Sequence, residues 1–458
     1  MSTFGAKVAV ARAAGAASRL SGRGATSLPG TVLLALDQHA IEHLASDLTR
    51  GSVTISATNG KTTTAAMAGS ILAHAGVATV NNFAGANMAG GVASALLAAR
   101  RPHGTLAGEL GVFEIDEFWL APVVAALQPR VIVLANLFRD QLDRYGELET
   151  IGERWADVVA RSGARLVLGA DDPLVAELGS DAVEPIYFGI EDPSVALPAG
   201  LAHAADSKQC RRCGGAYRYA QVYLGHLGVY ECEGCGQHRP QPSVSAHQVA
   251  LDGVRSAAFE LRTPAGSGRV QLALPGLYNV YNALAAAALA TALEIPFATI
   301  IEGLAAAPPM FGRAERLRSG EHDLQIMLMK NPAGANEILR TLALEAGEHD
   351  LLAILNDRDA DGRDVSWIWD ADFEDFARRV RRVTCAGTRA AELALRFKYA
   401  GVPLARIAVE PQVARALDAA LADTEASTLY ALPTYTAMLE LRDVLRRRGQ
   451  AASSWARN

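Results

Sequence analysis

From residue 51 to about 190 the chain alternates short apolar or β-branched runs with longer segments of helical character. The runs at 52–56, about 107–115, 130–135 (Arg-Val-Ile-Val-Leu-Ala), 164–168 and 185–189 predict strands. Strands that alternate with helices predict a mostly parallel sheet covered on both faces. The rhythm breaks near residue 200, where cysteines and tyrosines appear. Alternation of antiparallel type follows across 248–274, and then an Ala-rich helical pair at 279–306. Pro308-Pro309 marks a boundary. Beyond it a second series predicts strands at 324–329, 350–355, 382–385, 406–409 and 427–432, with helices at about 335–345, 372–380, 389–399, 412–422 and 435–448. This second series reads as a Rossmann-like domain. The expected organisation is an N-terminal helical segment over 1–45, a central domain over 46–309 and a C-terminal domain over 310–458.

Composition narrows the classes. The 458 residues are half apolar and one-fifth charged, with a formal net charge of −6. That length calls for two or three domains, and that balance argues against a nucleic-acid partner. The N-terminal stretch carries Lys7, Arg12, Arg19 and Arg23 among alanines and reads as an amphipathic helix, without the apolar core of a signal peptide. No uncharged apolar run reaches 18 residues, so no transmembrane segment is expected and the location is expected to be cytoplasmic.

The chemistry begins at residues 55–64, Ile-Ser-Ala-Thr-Asn-Gly-Lys-Thr-Thr-Thr. A β-branched strand runs into a turn and then into a helix, whose unpaired amides and positive dipole end favour an anion. Thr58, Asn59, Gly60, Lys61, Thr62 and Thr63 are therefore expected to cradle a nucleoside triphosphate. Lys61 would reach the β/γ-phosphates, Gly60 would let the backbone come close, and the Thr62 hydroxyl would ligate Mg²⁺. Ile55 stands where the full P-loop pattern wants Gly, so strand-turn-helix context carries the assignment. Lys61 is expected in an exposed surface loop and not in a core, so that it matters for phosphate contact and not for the fold.

Four of five cysteines fall as Cys210-x2-Cys213 and Cys232-x2-Cys235. Two such knuckles supply the closed four-thiolate shell of a structural Zn²⁺, in an insertion of about 205–240. Tyr217, Tyr219, Tyr223 and Tyr230 beside few basic residues suit a stabilising or docking module. Cys385 ends an apolar strand and reads as a small buried hydrophobe. Glu114, at the end of a strand facing the turn, is the expected magnesium carboxylate, followed by Asp116 and Glu117. Asn136 to Glu147, Asn82 and Asn87, Asn279 and Asn282, Arg313 and Glu315, and Lys330-Asn331-Pro332 are further polar constellations at strand or helix ends.

In this order, A-T-N-G-K-T, V-N-N, E-I-D-E, N-L-F-R-D-Q-L-D-R-Y-G, L-Y-N-V-Y-N-A-L-A-A, G-R-A-E and K-N-P resemble the Mur ligase superfamily. With the four-cysteine insertion and L-N-D-R-D-A-D-G-R-D-V-S-W-I-W-D they look like its MurT-type branch, the synthetase subunit of lipid II isoglutaminyl synthase. The resemblance implies a P-loop Mur ligase central domain and ATP-dependent amidation of the D-glutamate α-carboxylate in the lipid II stem peptide through an acyl phosphate. Work at the inner face of the cytoplasmic membrane is implied with it, and so is ammonia delivered by a GatD-type glutaminase subunit. It implies Lys61 and Thr62 at phosphate and Mg²⁺, Glu114 at Mg²⁺, Asn279 at the nucleotide base and Arg313 at the phosphates. Where amino-acid-adding relatives have His in D-H-L-D this chain has Gln141, and D-Y-A-H-x-P becomes Met327-Leu328-Met329-Lys330-Asn331-Pro332. Those losses weigh against a ligase that adds an amino acid. The acidic balance weighs against a non-catalytic P-loop and zinc-ribbon binding module. The loop 356–364 with Trp367 and Trp369 is expected to meet the glutaminase. Asp364 is expected to orient the partner's catalytic His, with Asp357 and Asp361 as alternatives.

Overall fold

The computed structural model describes residues 3–20, 26–82, 86–102, 104–140, 148–198, 206–308, 313–319 and 321–450. Eleven strands come first: β1 (Ser52–Ser56), β2 (Thr79–Asn81), β3 (Leu110–Glu114), β4 (Val131–Leu134), β5 (Arg165–Gly169), β6 (Ile186–Ile190), β7 (Tyr217–Leu224), β8 (Leu227–Cys232), β9 (Val244–Asp252), β10 (Ser256–Thr263) and β11 (Gly266–Leu272). Nine of them form one sheet in the order β11-β10-β9-β6-β5-β4-β1-β3-β2, while β7 and β8 pair separately. From β2 to β9 the neighbours are parallel, and β9, β10 and β11 are antiparallel.

The alternation of side chains along each strand divides two cores. Val53, Ile55, Val131, Val133 and Val167 point to the face covered by the helices Lys61–His74, Leu277–Ala292 and Phe297–Ala305. Phe113, Ile132, Leu134, Leu166 and Leu168 point to the other, under the helices Ala89–Ala99, Leu120–Leu127 and Leu148–Ser162. The N-terminal helix Thr3–Leu20 buries Val8 and Ala11 in that second core, and Leu33, Ile41 and Leu44 join them from the next two helices.

A second sheet holds β12 (Arg313–Ser319), β13 (His322–Met327), β14 (His349–Ile354), β15 (Val380–Ala386), β16 (Ile407–Val409) and β17 (Thr428–Pro433), in the order β12-β13-β17-β14-β15-β16. All its pairings are parallel except β12 with β13. The predicted strands and helices of this half fall within a few residues of the observed ones, save that helix 372–380 shortens to Phe373–Ala377. Strands β2, β7, β8 and β12 are absent from the sequence reading. β2 is three residues long, and β12 is Arg-Ala-Glu-Arg-Leu-Arg-Ser, an edge strand with one large apolar residue to signal it. Cys385 is fully buried in the core of this second sheet, as expected.

Candidate active site

β1 ends at Ser56, and Ala57-Thr58-Asn59-Gly60 leads into the helix Lys61–His74. Gly60 has φ +93°, and a Cβ there would lie 1.9 Å from Asn282 Oδ1. An L side chain is thus excluded both by conformation and by space. The turn is latched to the end of β4. The Asn136 side chain accepts from the Asn59 N–H (2.9 Å) and donates to the Asn59 carbonyl (3.0 Å), while the Phe138 N–H donates to Thr58 Oγ1 (3.0 Å). A second latch comes from the loop after β13. Asn59 and Asn331 exchange side-chain amide hydrogen bonds (3.0 and 3.3 Å), and Lys330 Nζ donates to the Thr58 carbonyl (2.9 Å). Asn331 also caps the helix Pro332–Ala343 by accepting from the Gly334 N–H (2.8 Å).

The charges in the turn are buried and paired. Lys61 Nζ donates to the Ala57 carbonyl and lies 2.8 Å from Glu117 Oε2. Burial works against the Lys61 charge, but Glu117 outweighs it and the pKa stands above the ordinary lysine value. The reciprocal holds for Glu117: burial opposes its charge, and Lys61 and Lys330 still keep its pKa low. Lys330 Nζ lies 2.5 Å from Asp140 Oδ2, and burial pushes the pKa of Asp140 up despite that partner. The expectation of Lys61 in an exposed loop is therefore corrected: its side chain is 11 % exposed. Glu114 is buried at the end of β3, and Asn82 brackets its main chain by donating to its carbonyl (2.8 Å) and accepting from its N–H (2.9 Å). Thr62, half-buried in the first helical turn, adds a hydroxyl. The Thr62 hydroxyl and the Glu114 carboxylate are hard-oxygen donors of the kind Mg²⁺ takes, and the glycine turn with its helix N-terminus fits phosphate. Thr62 and Glu114 would hold the ion.

Between the two sheets lies a cleft. Asn59, Gly60, Thr63 and Lys330 line it together with Tyr278, Tyr281, Asn282, Leu224, Leu227 and Ile338. Polar groups of the phosphate turn beside an apolar and aromatic wall give it the character of a ligand site. Glu337 also faces it; burial pushes this carboxyl up to about 7 against the pull of Arg340. Asn282 stands on the cleft wall. Asn279 lies behind it, donating to the Pro275 carbonyl (2.7 Å) and accepting from Asn282 (3.1 Å). Arg313 pairs with Met327 through its backbone, and its side chain lies outside the described part of the structure, as do Gln141 and Asp143.

The four cysteine sulfurs lie within 4.8 Å of one another, with Cys210 Sγ 3.7 Å from Cys235 Sγ and Cys213 Sγ 3.4 Å from Cys232 Sγ. A tetrahedron with Zn–S of about 2.3 Å has edges of about 3.8 Å, so the cluster fits zinc. Gly214 and Gly236, each directly after a Cys-x-x-Cys, both have φ +72° and turn the knuckles. The opposite end of the β7–β8 hairpin reaches the cleft, where Leu224 and Leu227 form part of the wall. At its tip His226 is fully buried, 3.3 Å from Asp172, with its ring tilted at 57° against that of Phe138, centroids 4.8 Å apart. Burial disfavours the His226 charge, but Asp172 and Asp206 raise its pKa nonetheless. The sequence reading takes the ribbon as a separate module, so it misses this strut, for which Leu-Gly-His-Leu between two alternating strands is the available signal.

Asp364 sits outside the cleft, in the loop after β14. It is exposed and accepts from the Ser366 N–H (2.8 Å), and its pKa is lowered by Ser366. The neighbouring acids are occupied. Asp357 accepts from Thr388 Oγ1 (2.7 Å) and pairs with Arg389 (2.8 Å), while buried Asp361 accepts from the N–H and hydroxyl of Thr436. Trp369 is exposed nearby and lies edge-on to exposed Tyr399, their centroids 5.9 Å apart. Cys385 is buried, which raises its thiol pKa and leaves it no access to a substrate.

Residues 55–222 match the Mur ligase middle domain, and residues 328–438 match the MurT ligase C-terminal domain. The chain is 35 % identical over 433 residues to the MurT subunit of lipid II isoglutaminyl synthase (glutamine-hydrolysing) from Streptococcus pneumoniae, covering 93 % of each chain. It is 33 % identical to the MurT subunit from Staphylococcus aureus, covering 97 % of this chain and 98 % of that one. Among solved structures, a pseudomurein peptide ligase type C from Methanothermus fervidus superposes with TM-score 0.67 at 26 % identity, over 88 % of this chain and 79 % of that one. MurF from Acinetobacter baumannii shares the fold with TM-score 0.64 at 20 % identity, over 90 % and 80 %. End-to-end similarity of this degree means that the chain belongs to the MurT branch of the Mur ligase family.

Proposed function

We propose that the protein is the synthetase subunit of a lipid II isoglutaminyl synthase, using ATP and Mg²⁺ to amidate the α-carboxylate of D-glutamate in the stem peptide. A carboxylate oxygen attacks the γ-phosphorus, the bond to the β-phosphate bridging oxygen breaks and ADP leaves. Ammonia then attacks the acyl carbon, the bond to the phosphate oxygen breaks, and the nitrogen gives up its extra proton. The observation that carries this reading is similarity to MurT subunits over more than nine-tenths of both chains. On this reading residues 46–309 form the ATP-binding unit, 310–458 the unit that closes over it, and the cysteines 210, 213, 232 and 235 hold one structural Zn²⁺. Among the described residues no helix is long and apolar enough to cross a membrane. The enzyme would reach its lipid-anchored substrate from the cytoplasmic side.

Ammonia would come from a GatD-type glutaminase docked where Trp369, Tyr399 and Asp364 are exposed. Of the three acids weighed from the sequence, Asp364 is the outward-facing one, and Asp357 and Asp361 are held by their own domain. Asp364→Asn in the complex is expected to remove glutamine-dependent amidation and glutaminase activity while ammonia-dependent amidation stays at the parent level. Assaying both nitrogen sources side by side checks this, and undiminished use of glutamine would rule Asp364 out.

A further inference from the structure

We propose that Lys330 is a second catalytic ammonium, delivered by the second sheet to the transferring phosphoryl group of ATP. The inference rests on the acyl-phosphate reading of the site. Lys61 and Lys330 approach the phosphate turn from different sheets and donate to consecutive carbonyls, those of Ala57 and Thr58. Each stands on its own acid, Lys61 at 2.8 Å from Glu117 and Lys330 at 2.5 Å from Asp140. The two pairs form one electrostatic unit, since the charge of Lys330 also acts on Glu117 and that of Lys61 on Asp140.

A purely structural role fits Lys330 poorly. The reciprocal amide bonds of Asn59 and Asn331, one residue further on, already join the sheets. Asp140 is an incomplete partner, because its Oδ1 is buried and accepts no hydrogen bond among the described residues. Lys330 lines the cleft together with Gly60 and Thr63, and its ammonium sits on a flexible stem. Both reactants of the first step are anions, a carboxylate and a phosphoryl group. A second ammonium reduces their repulsion, receives the charge that develops on the phosphoryl oxygens and holds the phosphate as it leaves in the second step.

The test compares Lys330→Met, Lys330→Arg and the clamp variant Asn331→Ala. Binding of ADP and of a non-hydrolysable ATP analogue is measured by calorimetry, alongside ammonia-dependent turnover and melting temperature. A contact to the γ-phosphoryl group gives the parent a preference for the ATP analogue over ADP of about tenfold or more. Lys330→Met is expected to lose that preference while keeping the parent's ADP affinity, with turnover about 10²-fold lower, and Lys330→Arg to restore part of both. Asn331→Ala is expected to weaken both nucleotides alike. An undiminished preference in Lys330→Met, or a loss of ADP affinity and melting temperature matching that of Asn331→Ala, would overturn the proposal. Absence of amidation by the parent, with the nucleotide preference intact and lost in Lys330→Met, would count against the substrate reading and leave the Lys330 contact standing.

Discussion

Lys61→Ala is expected to lower ATP-dependent amidation by about 10³-fold or more, because it removes the ammonium poised at the transferring phosphoryl group. The structure adds a second effect. Lys61 and Glu117 are both buried, at 11 % and 7 % exposure, so truncating the lysine leaves a carboxylate buried without its main counter-charge. Breaking a buried pair in this way costs about 3–5 kcal/mol, with Lys330 on the same acid offsetting part of it. The melting temperature should therefore fall with the activity. The double variant Lys61→Ala, Glu117→Gln separates the two effects, since a neutral amide needs no ammonium: stability is expected to recover and activity to stay lost. A double variant that regained activity with stability would mean that Lys61 acts through the fold alone.

Much of this site was legible from the chain because its parts are local. The turn at 57–60 lies between a β-branched strand and a helix, and the thiolates come as two adjacent pairs, so spacing alone places them. Most strands of both sheets, β2 and β12 apart, were readable for a similar reason. Each is a short apolar run between helical segments, even where burial on both faces leaves little alternation. The pairings across the cleft were not readable. Lys330 meets Thr58 and Asp140 across separations of 272 and 190 residues, and nothing in Lys-Asn-Pro says which loop it will face. Glu117 looked like one acid of a cluster until the fold set it against Lys61. The Asn279 and Asn282 pair divides its work in a way that depends on which side of the helix meets Gly60, and the glycine's missing Cβ decides that Asn282 is the one in contact.

The second large effect concerns the cysteines. Cys210→Ser or Cys235→Ser is expected to release one zinc per chain and to destabilise the hairpin, since a structural zinc site contributes about 10–16 kcal/mol of binding free energy to its folded module. The consequence should not stop at the ribbon. The same β7–β8 hairpin brings Leu224 and Leu227 to the cleft wall and buries His226 against Phe138, whose N–H bonds Thr58 in the phosphate turn. Loss of the metal is therefore expected to weaken nucleotide binding about tenfold, the scale of one lost packing contact of 1–2 kcal/mol. Metal analysis, thermal melting and nucleotide titration on the same samples check the chain of effects. Undiminished nucleotide affinity in a zinc-free, partly unfolded ribbon would show the hairpin to be independent of the site.

The most direct measurement of the central claim is mass spectrometry of lipid II after incubation with the purified chain, Mg²⁺, ATP and an ammonium salt labelled with ¹⁵N. The expected result is replacement of one stem-peptide hydroxyl by a labelled amino group, with one ADP formed per amide and no product when ATP is withheld. ATP turnover that leaves lipid II unchanged, or label that enters without ATP, would contradict the account.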